Sequence, residues 1–283
     1  MIPMTRPVQT GTPRPARAAD AANREAACER LLAAQRTKTP CAPVRDLIGA
    51  DDIEAAYAVQ QRVAQVRRAA GARRIGHKIG LTSAAVQAQL GVDRPDFGLL
   101  FDDMLVPSGT PVDIDRLLQP KIEAEIAFVL AADLTGPVVD AVTARAAVAY
   151  ASPALEIVDS RIAGWDIMLA DTVADNASSG LFTLGDAQVR LDDVDLVAAQ
   201  MSMAIDGEHR SAGSGAACMG DPLIALVWLA GTALEMNDPL RAGDIVLSGA
   251  LGPMAVVTGG SQVRAEISGL GRVEAVFTTG AGR

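Results

Sequence analysis

The chain has 283 residues, 34 acidic against 25 basic side chains, a net charge of −9 and a hydrophobic content of 49%. That hydrophobic content is enough for a full core and too high for a disordered protein. An acidic chain without a basic stripe is a poor candidate for binding nucleic acid or an anionic membrane surface, because both need clustered Lys and Arg. Three cysteines without metal-ligand spacing, and no signal-peptide or full-length membrane-spanning pattern, predict a cytoplasmic protein.

The predicted elements begin after a leader. Residues 1–19 are rich in proline and arginine without periodicity, and we expect them to be disordered. Helix-forming residues from Asp20 to Gln35, and a second helix that starts at Asp51 and ends at Gly71, follow them. Together they predict a small N-terminal helical region over residues 20–75.

The rest of the chain, residues 76–283, mixes strands and helices without regular alternation. This pattern favours an α+β fold over a doubly wound sheet or a barrel. A helix is predicted over Ala141–Tyr150, and another begins at Asp221 with proline at its first position. Strands are predicted over Lys121–Leu130, Leu155–Val158, Gln200–Ile205, Asp244–Ser248, Val263–Ile267 and Arg272–Phe277.

Two acids share one face of the first of these strands, in the segment QPKIEAEIAFVL. Alternate residues of a strand point the same way, so Glu123 and Glu125 lie on one face, about 7 Å apart. An E-x-E pair alone is more typical of a solvated strand face. Here Ala127 and Val129 continue the same face, and acids at the edge of an apolar surface need protons, a cation or a metal.

A third acid, Glu156, interrupts the apolar run PALEIV. Three converging carboxylates without His or Cys would be hard oxygen ligands, suited to Mg²⁺ or Mn²⁺ rather than zinc. A buried glutamate paired with Arg161 or Lys121 explains the same pattern, and the residues alone leave both interpretations open.

Three further segments are candidates for binding. GHKIGLTS flanks Lys78 with glycines, which indicates either a turn that offers Lys78 to an anion or an ordinary strand-to-helix turn. Asp96, in RPDFG, has by itself the pattern of a turn acid. Ser178 lies in DTVADNASSG, whose small polar residues either donate hydrogen bonds to an oxyanion or cap a helix. No role is assigned to His77.

Taken in order, several segments together resemble the 2-keto-4-pentenoate hydratase family of the fumarylacetoacetate hydrolase-like superfamily. The similarity extends from about residue 40 to the C terminus. The segments that carry it are GHKIGLTS, LGVDRPDFGLLFDDM, QPKIEAEIAFVL, PALEIVDSRI, DTVADNASSG, GDPLIALVWLA and GDIVLSGALGPM.

The resemblance implies a mixed β-roll of the fumarylacetoacetase C-terminal type, with surrounding helices, in a homo-oligomer built as a pentamer or decamer. It also implies roles for particular residues. Lys78 and Asp96 match positions that serve catalysis, Lys78 beside the substrate and Asp96 in proton transfer, and Ser178 matches a position near the substrate carboxylate. The metal ligands would be Glu123, Glu125 and Glu156, holding Mg²⁺ or Mn²⁺.

The implied reaction is hydration of 2-hydroxypenta-2,4-dienoate, the enol of a 2-keto acid, to 4-hydroxy-2-oxopentanoate in the catabolism of aromatic compounds. Three alternatives stay open. Two are enzymes of the same architecture, a 4-oxalocrotonate decarboxylase and a hydratase of 2-oxohept-3-ene-1,7-dioate. The third is a catalytically silent subunit that binds a pathway aldolase or decarboxylase.

Overall fold

The computed structural model describes residues 15–83, 87, 92 and 94–279. Residues 1–14 of the predicted leader lie outside the described residues, so the prediction of disorder there stays a prediction. The first helix, α1, begins at Pro15, earlier than the expected Asp20, and ends at Thr37.

Two further helices complete the N-terminal region. A short helix, α2 (Arg45–Ile48), lies in a proline-bounded link for which no helix was predicted, and α3 (Ile53–Ala69) follows it. The predicted start of this helix at Asp51 is two residues too early, because Asp52 is the N-cap and its side chain accepts a hydrogen bond from the backbone N–H of Ala55 at 2.8 Å, so that α3 begins at Ile53. These helices share a small hydrophobic core that also includes Ile162, Ala170, Val173 and Ala174.

Seven strands form the sheet that carries the candidate site, in the order β2-β1-β9-β4-β5-β6, with β10 paired to β4. β1 and β9 are parallel, whereas the other pairs are antiparallel. The strands are β1 (Arg74–Gly80), β2 (Asp96–Phe101), β4 (Pro120–Leu130), β5 (Val148–Asp159), β6 (Ser179–Leu184), β9 (Ile245–Ala250) and β10 (Ala255–Val256).

A second sheet of five strands has the order β3-β12-β11-β7-β8. Its strands alternate buried and exposed residues in β7 and β11, as expected for a sheet with one covered face. They are β3 (Pro111–Asp113), β7 (Gln200–Ile205), β8 (Glu208–Ser214), β11 (Gln262–Ile267) and β12 (Gly271–Thr278).

In the part of the chain that the structure describes, three more α-helices flank the sheets: α4 (Ala141–Ala147), α5 (Leu169–Ala174) and α6 (Pro222–Glu235). The helix predicted over Ala141–Tyr150 is shorter than expected because β5 starts at Val148. α6 begins as predicted, with Asp221 as its N-cap and Pro222 in its first turn.

The apolar segment Gly215–Glu235 has 21 residues and a mean hydropathy of 1.6, so by length and composition alone it resembles a membrane span. In the folded chain, however, its helix α6 packs against β9 and α4, and Leu226 and Leu229 are fully buried in the main core. The segment is therefore a core helix of this fold.

The main core lies between the two sheets. Ile122 and Phe128 of the first sheet and Val263 and Phe277 of the second belong to one continuous hydrophobic cluster. Both sheets mix parallel and antiparallel pairs, and helices surround them. The predicted α+β class with mixed, curled sheets is therefore confirmed.

Candidate metal centre and substrate cavity

Three glutamates converge on two neighbouring strands of the seven-stranded sheet, β4 and β5. Glu123 of β4 lies directly opposite Glu156 of β5, and Glu125 follows two residues along the same face of β4. One carboxylate oxygen from each of the three lies within 4.8 Å of the other two. All three side chains are buried, so the interpretation of Glu123 and Glu125 as a solvated strand face is wrong.

The suggested pairing of Glu156 with Arg161 or Lys121 is also wrong. Arg161 forms an ion pair with Asp175, and the Lys121 ammonium lies over the ring of Trp165, 4.1 Å from its centroid. The cation that faces Glu156 is Lys78, whose Nζ lies 3.3 Å from Glu156 Oε2.

Hydrogen bonds hold two of the carboxylates in place. The Ser179 hydroxyl donates to Glu156 Oε1 at 3.3 Å, and the backbone N–H of Gly249 donates to Glu125 Oε2 at 2.8 Å. Glu125 Oε1 is buried and accepts no hydrogen bond from any described residue. A buried oxygen without a partner is costly, so this oxygen indicates a ligand position.

The positive charge beside the three carboxylates does not balance their negative charge. Burial, reinforced by Glu156, raises the pKa of Glu123 to about 7. Burial likewise raises the pKa of Glu125 well above its usual range and raises that of Glu156 despite the opposing effect of Lys78. One ammonium group therefore does not balance three buried carboxylates, which need protons or a further cation.

The residues present fit a divalent metal ion. All three side chains offer oxygen, the ligand that hard cations such as Mg²⁺ and Ca²⁺ prefer. The cluster is buried, its oxygens lie close enough to share one ion, and the oxygen without a partner belongs to it. The three glutamates could therefore hold a metal.

Lys78 and Asp96 lie beside this cluster on neighbouring strands. The predicted turn at Lys78 is wrong, since Lys78 lies within β1, and Asp96 is the first residue of β2 rather than an exposed turn acid. Asp96 pairs with Gly80 of β1. A Cβ atom added at Gly80 would lie 2.2 Å from Asp96 Oδ1 and 3.4 Å from Lys78 Nζ, so the glycine leaves room for both charged groups.

Lys78 and Asp96 are almost fully buried, and each shifts the pKa of the other. Burial alone would lower the pKa of Lys78, but the carboxylates of Glu156 and Asp96 outweigh it and raise that pKa above its usual value. Burial raises the pKa of Asp96, partly offset by Lys78. Lys78 therefore remains an ammonium ion, whereas Asp96 keeps its proton to a higher pH than an exposed aspartate does.

A cavity of about 300 Å³ opens beside these residues. Lys78, Asp96, Glu123 and Ser178 line it and are buried, whereas Met254, which also lines it, is 42% exposed. The cavity therefore has a polar, charged floor and a partly apolar mouth. Further lining residues towards solvent are Trp165 and Ile167.

Ser178 reaches the cavity from a turn that sequence reasoning did not resolve. Residues Asn176, Ala177 and Ser178 all have positive φ angles, and the Asn176 side chain bonds to β2. Asn176 was missed as a site residue, although asparagine tolerates left-handed backbone and its place between two predicted elements is a usable signal. His77 is buried on β1 with its ring against Arg74.

The fold and the acidic cavity identify the class of protein, and a family comparison agrees. The model of the fumarylacetoacetate (FAA) hydrolase C-terminal family matches residues 58–278. The chain belongs to this family, and the family resemblance deduced from the sequence is confirmed.

Individual relatives narrow the comparison. The chain is 52% identical over 249 residues to a 2-keto-4-pentenoate hydratase of Burkholderia vietnamiensis, covering 88% of this chain and 95% of the relative. It is 52% identical over 251 residues to the TodF product hydratase of Pseudomonas putida, covering 89% and 94%. Among solved structures, it is similar to 4-oxalocrotonate decarboxylase of Pseudomonas putida G7 complexed with magnesium and adipate, with a TM-score of 0.87, 34% identity and coverage of 91% and 98%.

Proposed function

We propose that this chain is a metal-dependent hydro-lyase that adds water to 2-hydroxypenta-2,4-dienoate and forms 4-hydroxy-2-oxopentanoate in the breakdown of aromatic compounds. The observation that carries the proposal is the buried Glu123–Glu125–Glu156 cluster: Glu156 faces Lys78, and Glu123 lines the same cavity as Lys78 and Asp96. Similarity at 52% identity to proteins named 2-keto-4-pentenoate hydratase supports the substrate class.

The reaction needs two proton deliveries and one water. A proton added at C5 of the dienol, with loss of the proton from the C2 hydroxyl, gives the 2-oxo-3-enoate, in which C4 is electrophilic because it is conjugated to the C2 ketone. Water then adds at C4 and loses a proton, and a proton added at C3 completes the product. A bound Mg²⁺ or Mn²⁺ would act as a Lewis acid that stabilises negative charge on the C2 oxygen.

The residues of the chain divide this work by charge. Asp96, whose pKa burial raises, takes the proton from the attacking water and returns a proton to carbon. Lys78 stays positively charged and orients the anionic end of the substrate over the floor of the cavity. Ser178 Oγ, buried at the same floor, donates a hydrogen bond to the substrate carboxylate.

The second candidate is decarboxylation of 4-oxalocrotonate. The structural similarity to a decarboxylase complexed with adipate, a dicarboxylate, favours it. Such a substrate needs a cation for its distal carboxylate, and Lys121 lines the cavity outside the carboxylate–Lys78 cluster. The higher identity to hydratases, including 40% to a 2-hydroxyhexa-2,4-dienoate hydratase of Comamonas testosteroni, favours hydration. The presence of all three converging glutamates together with Asp96 speaks against a silent subunit.

The remaining assignments rest on the family resemblance. We propose Mg²⁺ or Mn²⁺ as the metal, a homo-oligomer built as a pentamer or decamer, cytoplasmic action beside a pathway aldolase or decarboxylase, and a leader over residues 1–19 that activity does not require. Solved structures of the related decarboxylase with magnesium and with calcium support a hard divalent cation.

The deciding experiment is an ultraviolet assay with freshly generated 2-hydroxypenta-2,4-dienoate and parallel reactions containing Mg²⁺, Mn²⁺ or a chelator. We expect metal-dependent loss of the dienol absorbance and a product heavier by one water in the mass spectrum. Release of CO₂ from 4-oxalocrotonate, without turnover of the dienoate, would replace hydration by decarboxylation. Inactivity with both compounds would refute the enzyme assignment.

A further inference from the structure

One turn of left-handed helix lies at the floor of the cavity. Asn176, Ala177 and Ser178 have φ angles of 55°, 51° and 52°. Residues with a Cβ atom avoid this conformation because of a clash with the backbone, and a run of three is rarer than a single one. Such a turn persists only where surrounding contacts hold it, and held strain of this kind is common at functional sites.

The Asn176 side chain supplies those contacts. Its Oδ1 accepts a hydrogen bond from the backbone N–H of Leu99 at 2.8 Å, and its Nδ2 donates to the carbonyl of Leu99 at 2.9 Å. β2 is the edge strand of its sheet, so these two groups have no neighbouring strand to pair with. The carboxamide thus takes the place of a peptide group from a further strand.

The two hydrogen bonds between Asn176 and Leu99 form a clamp, and the backbone of the turn beside this clamp also lies close to β2. A Cβ atom added at Gly98 of β2 would lie 2.4 Å from the carbonyl oxygen of Asn176 and 3.3 Å from Ala177 Cβ. Only glycine lets the turn lie this close to the strand. The clamp and the close approach together fix the turn against the strand that begins with Asp96.

A second buried amide offers a comparison on the same strand. Gln60 of α3 donates to the carbonyl of Phe97 at 2.9 Å and to the carbonyl of Val173 at 3.0 Å. It therefore ties β2 to α5. Gln60 does not bond to the left-handed turn. A Gln60 variant therefore loosens the attachment of β2 without removing the hydrogen bonds that hold the turn and Ser178.

The turn ends in a hydroxyl without a protein partner. Ser178 is 3% exposed, and its Oγ makes no hydrogen bond with any described residue. It lines the same cavity as Lys78, Asp96 and Glu123. A buried hydroxyl left without a partner is costly unless a ligand supplies one.

We propose that Asn176 is a positioning residue for the reaction, and that its clamp on Leu99 holds the left-handed turn so that Ser178 Oγ meets the carboxylate of a 2-oxo acid or its dienol. This inference rests on the proposed function. It assigns to Asn176 no contact with substrate. Its effect is transmitted through Ser178 alone, and this sets the experiment.

The test is a double-mutant cycle on kcat and KM with the dienoate at saturating Mg²⁺. Ser178→Ala removes a hydrogen bond to a charged group and should lower kcat/KM by about tenfold to a hundredfold, mainly through KM. Asn176→Gly keeps the positive φ accessible but deletes the clamp, and we expect a loss of the same kind and size. Asn176→Asp, which keeps size and opposes a carboxylate to the Leu99 carbonyl, is the second variant should the glycine variant not fold.

Non-additivity is the signature of positioning. The kcat/KM of the double variant, Asn176→Gly with Ser178→Ala, should be lower than that of the less active single variant by no more than about threefold. Gln60→Met is the matched control, and its effect should multiply with that of Ser178→Ala. Multiplying losses for Asn176 and Ser178, or an Asn176 variant with normal KM, would overturn the inference.

A separate measurement distinguishes failure of this inference from failure of the proposed function. Binding of 2-oxopentanoate in the presence of Mg²⁺ is followed by tryptophan fluorescence, because Trp165 lines the cavity. If the wild-type chain binds this compound without turning over the dienoate, the hydratase proposal fails, and the same cycle is measured on binding. Wild-type protein that neither binds nor turns over would refute both.

Discussion

The two sheets treat charged residues in opposite ways. In β11 of the five-stranded sheet, Arg264 and Glu266 lie on the exposed face, pair at 2.7 Å and are 50% and 62% exposed. In β4 of the seven-stranded sheet, Glu123 and Glu125 are buried between covered faces. A similar alternation of acids thus marks a solvated surface in one sheet and a binding site in the other, and the difference lies in what covers the face.

The largest expected effect comes from breaking the buried cluster. Glu123→Gln removes one of three oxygen anions, and we expect metal binding to weaken and kcat/KM to fall on the order of 10³-fold, because the charge on the reacting oxygen loses its stabilisation. Metal affinity is measured by calorimetry and turnover by the dienol assay. Glu266→Gln is the control, with unchanged activity and a change in stability of about 0.5 kcal/mol or less. Equal metal affinity in Glu123→Gln and the wild-type protein would refute the assignment of Glu123 to a metal site.

A substitution in the core of the five-stranded sheet should lower the stability of the protein and leave its metal affinity unchanged. Phe277 of β12 is 1% exposed in the main core, and Phe277→Ala should lower the free energy of unfolding by about 3–5 kcal/mol through lost burial and a cavity. The metal affinity of the folded protein should not change. Denaturant unfolding and calorimetry measure the two quantities, with Phe277→Leu as a milder control. A fall in metal affinity as large as that of Glu123→Gln would show that the sheets do not divide their roles.

The same contrast explains which features the sequence could predict. The two-residue period of β4 correctly placed Glu123 and Glu125 on one face, because alternation is local. Whether that face is buried depends on what packs over it from other parts of the chain, and even the strands that pair with β4, which are β5 and β9, come from separate segments, so no local pattern determines it. For the same reason the residue partner of Glu156 was not predictable, and Lys78 takes that place from β1.

The glycines around Lys78 show a second limit. They were interpreted as signs of a turn, yet both lie within β1. A Cβ atom at Gly76 would lie 1.9 Å from the carbonyl oxygen of Ile245, and one at Gly80 would meet Asp96. These glycines serve close approach between strands, and a sequence does not distinguish close approach from a turn without knowledge of the neighbouring strand. The family resemblance, in contrast, identified the fold and the converging acids.

His77 is a buried ionisable group that takes no part in the proposed reaction, and its altered pKa makes the stability of the protein depend on pH. Burial, with Arg74 and Arg68 nearby, lowers the pKa of His77 from 6.5 to about 3. Below pH 6.5 the unfolded chain takes up a proton that the folded chain does not, so stability present above that pH is lost as the pH falls towards 3. The loss is about 2 kcal/mol between pH 6.5 and pH 5. His77→Gln lacks it, and chemical denaturation at several pH values measures the difference. Parallel stability curves for the two proteins would show that His77 is protonated in the fold.

The smallest effect concerns a charge at a helix end, where neither burial nor a metal is involved. The Asp52 side chain accepts from the backbone N–H of Ala55 at the start of α3, so Asp52→Ala should lower the free energy of unfolding by about 1 kcal/mol. Asp51→Ala is the matched control, because the side chain of this adjacent aspartate, where the sequence predicts the helix to start, is not the cap, and its backbone carbonyl, which accepts from the N–H of Ile53, is kept in the variant. Denaturant unfolding of both variants measures the effect, and kcat should be unchanged. A larger loss in Asp51→Ala than in Asp52→Ala would show that Asp51, where the sequence predicts the helix to start, caps α3.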